Sequence, residues 1–197
     1  MSRWFSYRYG RVMILGAGAI ILAALVLYGA RLRLFMPPVR EHSREREIAR
    51  YSTPFSSRDP ERLHNIRVTV DRLSRLAVEP GEVFSLKSVV YAPGMEKLYK
   101  RAPVMDDNGK MVEELGGGIC QVSTTLYNAA LSCGLEIVEV HRHARPVNYV
   151  PRGHDATLYE DQDLKIRNTR LQPIVFRGEV EEDRLTIRIL ERAAPLR

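Results

Sequence analysis

Cysteine is scarce in this 197-residue chain: Cys120 and Cys133 are the only two, too few for a disulfide framework or a four-cysteine zinc site. Paired CxxC and HExxH spacings are missing as well, and with them the common zinc-enzyme signatures; no metal or other cofactor is expected. Lysine is absent from residues 1–50, which hold nine arginines and three glutamates. That segment accounts for the whole formal net charge of +6, because beyond it 21 basic residues balance 21 acidic ones. The folded part therefore has no cationic excess to offer a phosphate backbone, and nucleic acid is not an expected partner. Internal repeats and low-complexity stretches are also lacking, and the length fits one domain of ordinary size plus an extension.

What is present begins with an uncharged run at residues 12–30, VMILGAGAIILAALVLYGA, between Arg11 and Arg31. As a helix rising 1.5 Å per residue it is about 28 Å long, close to the hydrocarbon thickness of a bilayer. Trp4, Tyr7, Tyr9 and Tyr28 stand where interfacial aromatics belong. The run is long for a signal-peptide core, and Tyr28 occupies a position where cleavage after Ala30 needs a small residue. A retained transmembrane helix is expected, with a basic tail at 1–11, an arginine-rich stalk at 31–49 lying against anionic lipid headgroups, a folded domain at 50–192 and a short tail at 193–197. Three arginines precede the run and six follow it closely, so a positive-inside count directs the domain to the cytoplasm.

Within the domain, Asp59 and Pro60 form an N-cap and first helical position, and Leu63, Ile66, Val70, Leu73 and Leu76 or Ala77 follow at helical spacing. Pro80-Gly81 is expected to stop that helix and turn the chain into a strand at 83–86. Later, short apolar runs alternate with turn signals, giving strands at 103–105, 135–140, 147–150, 164–167 and 174–177. A closing hairpin then runs through 179–184 to 185–190. One strong helix interrupts them, from about Cys120 to Cys133. The expected fold class is α+β: an N-terminal helix and a central helix packed on a mainly antiparallel, barrel-like β-sheet, preceded by the transmembrane helix.

The most unusual stretch is GGGICQVSTTLYNAA at 116–130. Three glycines, Gly116, Gly117 and Gly118, permit a sharp turn or a close approach, and Cys120 follows at a helix start, where free N–H groups favour thiolate over thiol. Ile119, Val122, Leu126, Ala129, Ala130 and Cys133 share one helical face, which makes Cys133 a core residue. Cys120 sits on a different face with Thr124 and Tyr127, while Gln121, Asn128 and Ser132 form a polar edge. A continuous helix separates the two sulfurs by about 20 Å, which excludes a disulfide between them. His141 and His143 follow on the next strand, where alternation points both to one side. A helix-start cysteine followed by a strand bearing histidine is the chain order of papain-like thiol hydrolases. Either histidine could serve as the base, with Asp155 or Asn148 orienting it. The bland alternative is a buried structural cysteine. A zinc set drawn from His141, His143, His154, Asp155 and Cys120 is the weaker chemistry, since no spacing motif supports it. His42 and His64 read as surface residues, and Glu160, Asp161 and Asp163 as a solvated turn.

The chain resembles the VanW family. The likeness runs through Tyr51–Ser56, Arg62–Ile66 and Pro80–Ser85, is strongest at Gly116–Ala130, and continues through Gly134–Glu139, Tyr149–Pro151, Gly153, Asp155–Thr157 and Asp163–Asn168. The region 91–101 is more charged than the glycine-rich stretch of that family, so a substrate preference set there would differ. The resemblance implies a bacterial cell-envelope protein associated with peptidoglycan and glycopeptide resistance, with its domain outside the cytoplasmic membrane, against the arginine count. Three functions follow as expectations. The first is an accessory domain binding peptidoglycan, its precursor or its peptide stems through Gly116, Gly117, Gly118, Gln121, Ser123, Thr124, Tyr127 and Asn148. The second is a cysteine-dependent amidase or transpeptidase in which Cys120 attacks, His141 or His143 acts as base, Asp155 orients it and N–H groups of Gly118–Gln121 hold the oxyanion. The third is a scaffold that docks membrane partners through the stalk.

Overall fold

The computed structural model describes residues 45–106 and 108–192. The run at 12–30, its basic tail, the stalk before residue 45 and the tail at 193–197 lie outside the described residues. Among the described residues no helix is long and apolar enough to cross a membrane.

The longest pairing joins the two ends of the described chain. Strand β1 (Glu45–Pro54) runs antiparallel to β9 (Arg184–Arg192), from Glu45 opposite Arg192 to Pro54 opposite Arg184, with an irregularity between Glu47 and Ala49. The sheet therefore begins inside the stretch expected to be stalk. β9 returns on β8 (Ile174–Val180), as the closing hairpin requires, and β8 takes the two-residue strand β2 (Ala77–Val78) on its other side. Leu185, Ile187 and Ile189 alternate along β9 and are fully buried with Ile174 and Phe176 of β8, the period-two signature of a sheet with one face in the core.

Two smaller antiparallel units complete the fold. β3 (Val83–Ser85), β7 (Lys165–Arg167) and β6 (Glu136–Glu139) form a sheet in the order β3-β7-β6, and β4 (Arg101–Met105) pairs with β5 (Met111–Leu115) as a hairpin. The α+β class holds, but the sheets do not close into a barrel. The edge strand β2 stops at Val78, where Pro80 cannot donate a ladder bond and the Glu79–Glu82 turn leads the chain away. The strand expected at 147–150 is a bent segment instead, bracketed by Pro146 and Pro151.

Helix α1 (Pro60–Leu73) starts as expected: the Asp59 side chain accepts the Arg62 N–H at 2.8 Å, with Pro60 in the first turn. It ends at Leu73, before Pro80, because Ala77 and Val78 bond to β8 rather than prolong the helix. Helix α2 (Leu86–Val90) is short and capped by Ser85. Asp163, expected in a solvated turn, is buried and bonds the Ser85 hydroxyl and the Lys87 N–H, so it anchors the start of that helix. Helix α3 (Ile119–Ser132) packs on β1 and β9. It is enclosed more fully than an amphipathic helix, since Gln121 through Ala130 are all buried. The expected polar edge is thus partly interior, and each polar group there needs an internal partner.

Gly178 lets α1 approach β8, because a Cβ there would lie 2.4 Å from Val70 Cγ1. Gly178→Ala is expected to cost about 1–3 kcal/mol by overpacking, and less in a Val70→Ala background that makes room for the methyl. Urea midpoints of the four proteins check this; an equal cost in both backgrounds would contradict it.

Candidate functional site

The turn before α3 explains the glycine run. Gly118 adopts φ +108, a left-handed conformation that favours glycine. At Gly117 a Cβ would come within 2.7 Å of the Ala102 carbonyl oxygen, so the hairpin strand β4 presses directly on the backbone there. Asn65 of α1 fastens the same turn. Its side-chain amide donates to the carbonyls of Gly117 at 3.0 Å and Lys100 at 2.9 Å, and its oxygen accepts the Lys100 N–H at 2.8 Å. The helix start carrying Cys120 is thereby clamped between α1 and β4.

Along α3, the side chains of Cys120, Thr124 and Asn128 lie one turn apart on a single stripe, and segment 154–158 runs against it. Asn128 donates to the His154 carbonyl at 2.7 Å, Thr124 exchanges bonds with the N–H and carbonyl of Ala156 at 2.9 and 3.1 Å, and Cys120 Sγ lies 3.6 Å from Thr157 Oγ1 and 3.7 Å from the Leu158 carbonyl. That segment carries Asp155. One carboxylate oxygen, Oδ2, accepts both the His143 backbone N–H at 2.8 Å and its ring Nδ1 at 2.9 Å. With Nδ1 held this way, the imidazole stands beside the Cys120 thiol at the cleft wall, and each of the two groups shifts the other's pKa. Cysteine, histidine and aspartate are thus joined in series.

The electrostatics follow from these contacts. Burial is the largest single influence on Cys120 and raises its thiol pKa, but the hydrogen bond and charge of His143, together with Leu158 backbone and Thr157 hydroxyl, outweigh it and leave the thiol below its ordinary value. For His143, burial alone would lower the pKa; the thiolate and Asp155 reverse this and raise it. Asp155 is lowered overall: its burial is opposed by the backbone and ring N–H groups of His143. Cys133, by contrast, is pushed up by burial, and its thiol donates to helix carbonyls. Both shifts run toward the thiolate and imidazolium forms of the pair.

Cys120 is half-buried and opens into a cleft of about 1040 Å³. Gly116, Gly117, Gly118, Gln121, His143 and Asn148 also line it. Exposed apolar groups of Tyr91, Met105, Met111, Leu115 and Tyr159 edge the same space, and burial pushes the Tyr91 hydroxyl up to about 12. Of the charged region 91–101, Tyr91 is the residue in this wall. Other candidates stand elsewhere. Strand β6 ends at Glu139, so alternation does not continue to both histidines; His141 bonds Glu139 at 2.9 Å, outside the cleft wall. Its neighbour Glu139 is lowered to about 2, chiefly by Lys165 and also by His141. Ser123 and Thr124 are fully buried, and the Tyr127 hydroxyl accepts from Arg142. These three shape the support beneath the site. His154 faces Asn128, and among the described residues no group of three metal-ligating side chains converges. The N–H groups of Ile119 and Gln121 are engaged by the carbonyls of Gly116 and Gly118 at 3.1 and 3.0 Å. Of the four N–H groups expected to hold an oxyanion, those two are committed to the turn, while the Cys120 N–H is not part of it.

Comparison with known proteins completes the picture. A family model described as VanW like protein matches residues 61–190. Uncharacterized protein YoaR of Bacillus subtilis (strain 168) is 35% identical over 183 residues, covering 90% of this chain and 56% of that protein. Vancomycin B-type resistance protein VanW of Enterococcus faecalis (strain ATCC 700802 / V583) is 32% identical over 113 residues, covering 54% of this chain and 41% of that protein. The chain spans about half the length of the curated relatives it matches. No solved structure matches it.

The two cysteines offer an internal comparison. Alkylation of Cys120 by iodoacetamide is expected to persist at pH values below those of a free thiol, near 8.5, and to fade only as pH falls through its depressed value. Cys133 should react only at higher pH. His143→Ala removes the largest influences that lower the Cys120 thiol and leaves burial opposed only by the Leu158 backbone and the Thr157 hydroxyl, so its profile should move upward. Site-resolved mass spectrometry reads both; superimposed profiles for the two cysteines would contradict the assignment.

Proposed function

The chain belongs to the VanW family, and we propose that it is a cysteine-dependent acyl-transfer enzyme acting on cell-wall peptides. The observation that carries the proposal is the series Asp155–His143–Cys120 at the wall of an open cleft. Binding without catalysis, the other expectation for this groove, asks nothing of the thiol and leaves that alignment without a use. A structural cysteine would need neither a histidine partner nor access to a cleft of this size.

The chemistry follows from the geometry. The Cys120 thiolate attacks an amide carbonyl carbon to form a tetrahedral intermediate, whose oxyanion the Cys120 N–H is suited to bind. As the C–N bond breaks, the His143 imidazolium gives its proton to the departing amine and a thioester remains on Sγ. A second amine, in transpeptidation, or water, in amide hydrolysis, then attacks the thioester. Its proton passes to His143, and the thiolate leaves. Asp155 keeps the imidazole oriented and stabilises its charged form throughout.

Several features support a wall peptide as substrate. The cleft has the size and mixed apolar and polar lining suited to a peptide stem, and one relative carries vancomycin resistance in its name. The uncharged run at 12–30 would hold the domain at the outer face of the cytoplasmic membrane, beside its substrate. Docking through the arginine-rich stalk draws on residues 31–44, outside the described ones, and on Arg46, which pairs with Glu191.

With peptidoglycan stem peptides and the full chain, Cys120→Ala and His143→Ala are each expected to lower amide turnover by about a thousandfold or more, while peptide binding persists. Chromatography of the products checks this. Undiminished turnover by Cys120→Ala would remove the proposal, and binding with no turnover by the unmodified chain would return the domain to a binding role.

A further inference from the structure

Arg62 is costly where it stands. It lies in the first turn of α1, at the positive end of the helix dipole, where a cation is disfavoured. Its guanidinium makes one hydrogen bond, from Nη2 to the neutral Gln121 Oε1 at 2.9 Å, and its Nε is buried with no acceptor. Among the described residues no carboxylate lies within ion-pair distance of it. Arg188 and Arg192 also bury an Nε without an acceptor, but each guanidinium sits against a glutamate, Glu179 and Glu45, and Arg170 Nε itself lies 2.9 Å from Glu191. Burial holds the Arg62 pKa below its ordinary value, opposed by Tyr149, Cys120 and Asp59, and a guanidinium stays charged nonetheless. Asp59 and Cys120 attract it only from beyond contact, so among the described residues no carboxylate pairs with the guanidinium directly.

Its position says what that anion would be. The Arg62 stem crosses Gly118 so closely that a Cβ there would lie 2.9 Å from Arg62 Cγ, and its head is tied to Gln121, the residue after Cys120. Arg62 and Cys120 line the same cleft. A planar fork with spare donors suits a carboxylate. We propose that Arg62 is a specificity-determining residue that binds a carboxylate of the peptide substrate, close to the carbonyl that Cys120 attacks. The inference rests on the acyl-transfer reading and selects acidic peptides among the possible substrates. Arg142, also in the cleft wall, is engaged with Tyr127 and the Asp155 carbonyl and is not the choice for this role.

The test compares two small alkylating probes at Cys120 in the full chain, anionic iodoacetate and neutral iodoacetamide, as a ratio of rates. The iodoacetamide rate normalises for thiolate content and folding, and the charge of His143 is common to all variants. Arg62→Gln is expected to lower the iodoacetate-to-iodoacetamide ratio about tenfold, the scale of losing one near charge; Arg62→Lys should restore most of it. Arg67→Gln, an exposed arginine of the same helix, should leave the ratio as it was. A ratio equal in Arg62→Gln and the unmodified chain overturns the proposal. Slow iodoacetamide alkylation of Cys120 would instead count against the acyl-transfer reading itself, so the two failures are distinct. Stem peptides ending in a free acid or an amide then locate the carboxylate. Loss confined to the acid assigns the terminal group, and equal loss on both assigns a side-chain carboxylate.

Discussion

The site depends on the seam between one stripe of helix α3 and segment 154–158. Asn128 and Thr124 bond the backbone of that segment, and the Ala156 groups that Thr124 meets are buried, so each of those bonds, if lost, would cost about 1–3 kcal/mol in unsatisfied donors and acceptors. Because Cys120 is the next residue along the stripe, the same bonds that satisfy the segment set its height relative to the thiol. Asp155 rides on the segment, and its carboxylate fixes both the backbone and the ring of His143. Position of the Cys120 thiol and orientation of the His143 ring therefore come from one interface. Movement of the seam would separate all three groups together.

A second polar network holds the helix itself. Gln121 donates to Thr53 at 3.0 Å and to the Pro54 carbonyl at 2.9 Å, and the Thr53 and Thr125 hydroxyls are 2.8 Å apart. These bonds tie the first turns of α3 to the end of β1, whose partner β9 is the last strand of the described chain. Asn65 ties the preceding glycine turn to α1 and the hairpin. The helix start is therefore braced from three elements distant in sequence. Such bracing suits a thiol that must meet a histidine at fixed geometry. It also explains how a helix buried on nearly every side can carry so many hydroxyl and amide groups.

Much of this was legible in the residues. Period-two alternation and turn signals located β6 through β9, Asp59-Pro60 located the start of α1, and the glycine run followed by Cys120 located the start of α3. The roles of Gln121, Thr124 and Asn128 were harder to read, because a polar residue on a helix looks solvent-facing until the segments that cover it are known. Asp163 misled for the same reason: its partners at Ser85 and Lys87 are far away in sequence. The choice between His141 and His143 turned on where β6 ends, and strand ends are poorly marked when no glycine or proline stands at the boundary. Arg62 did leave a trace, a cation in the first turn of a well-capped helix, where the dipole opposes it. That trace gains meaning only when the missing counterion can be seen.

The most direct measurement is the mass of the Cys120-containing peptide after brief reaction of the full chain with a stem peptide, quenched in acid. A hydroxylamine-labile acyl adduct on Cys120, accumulating when the attacking amine is withheld and consumed when it is added, is the expected result. Turnover of the peptide with no adduct on Cys120 at any time, and with the same rate in Cys120→Ala, would contradict the account.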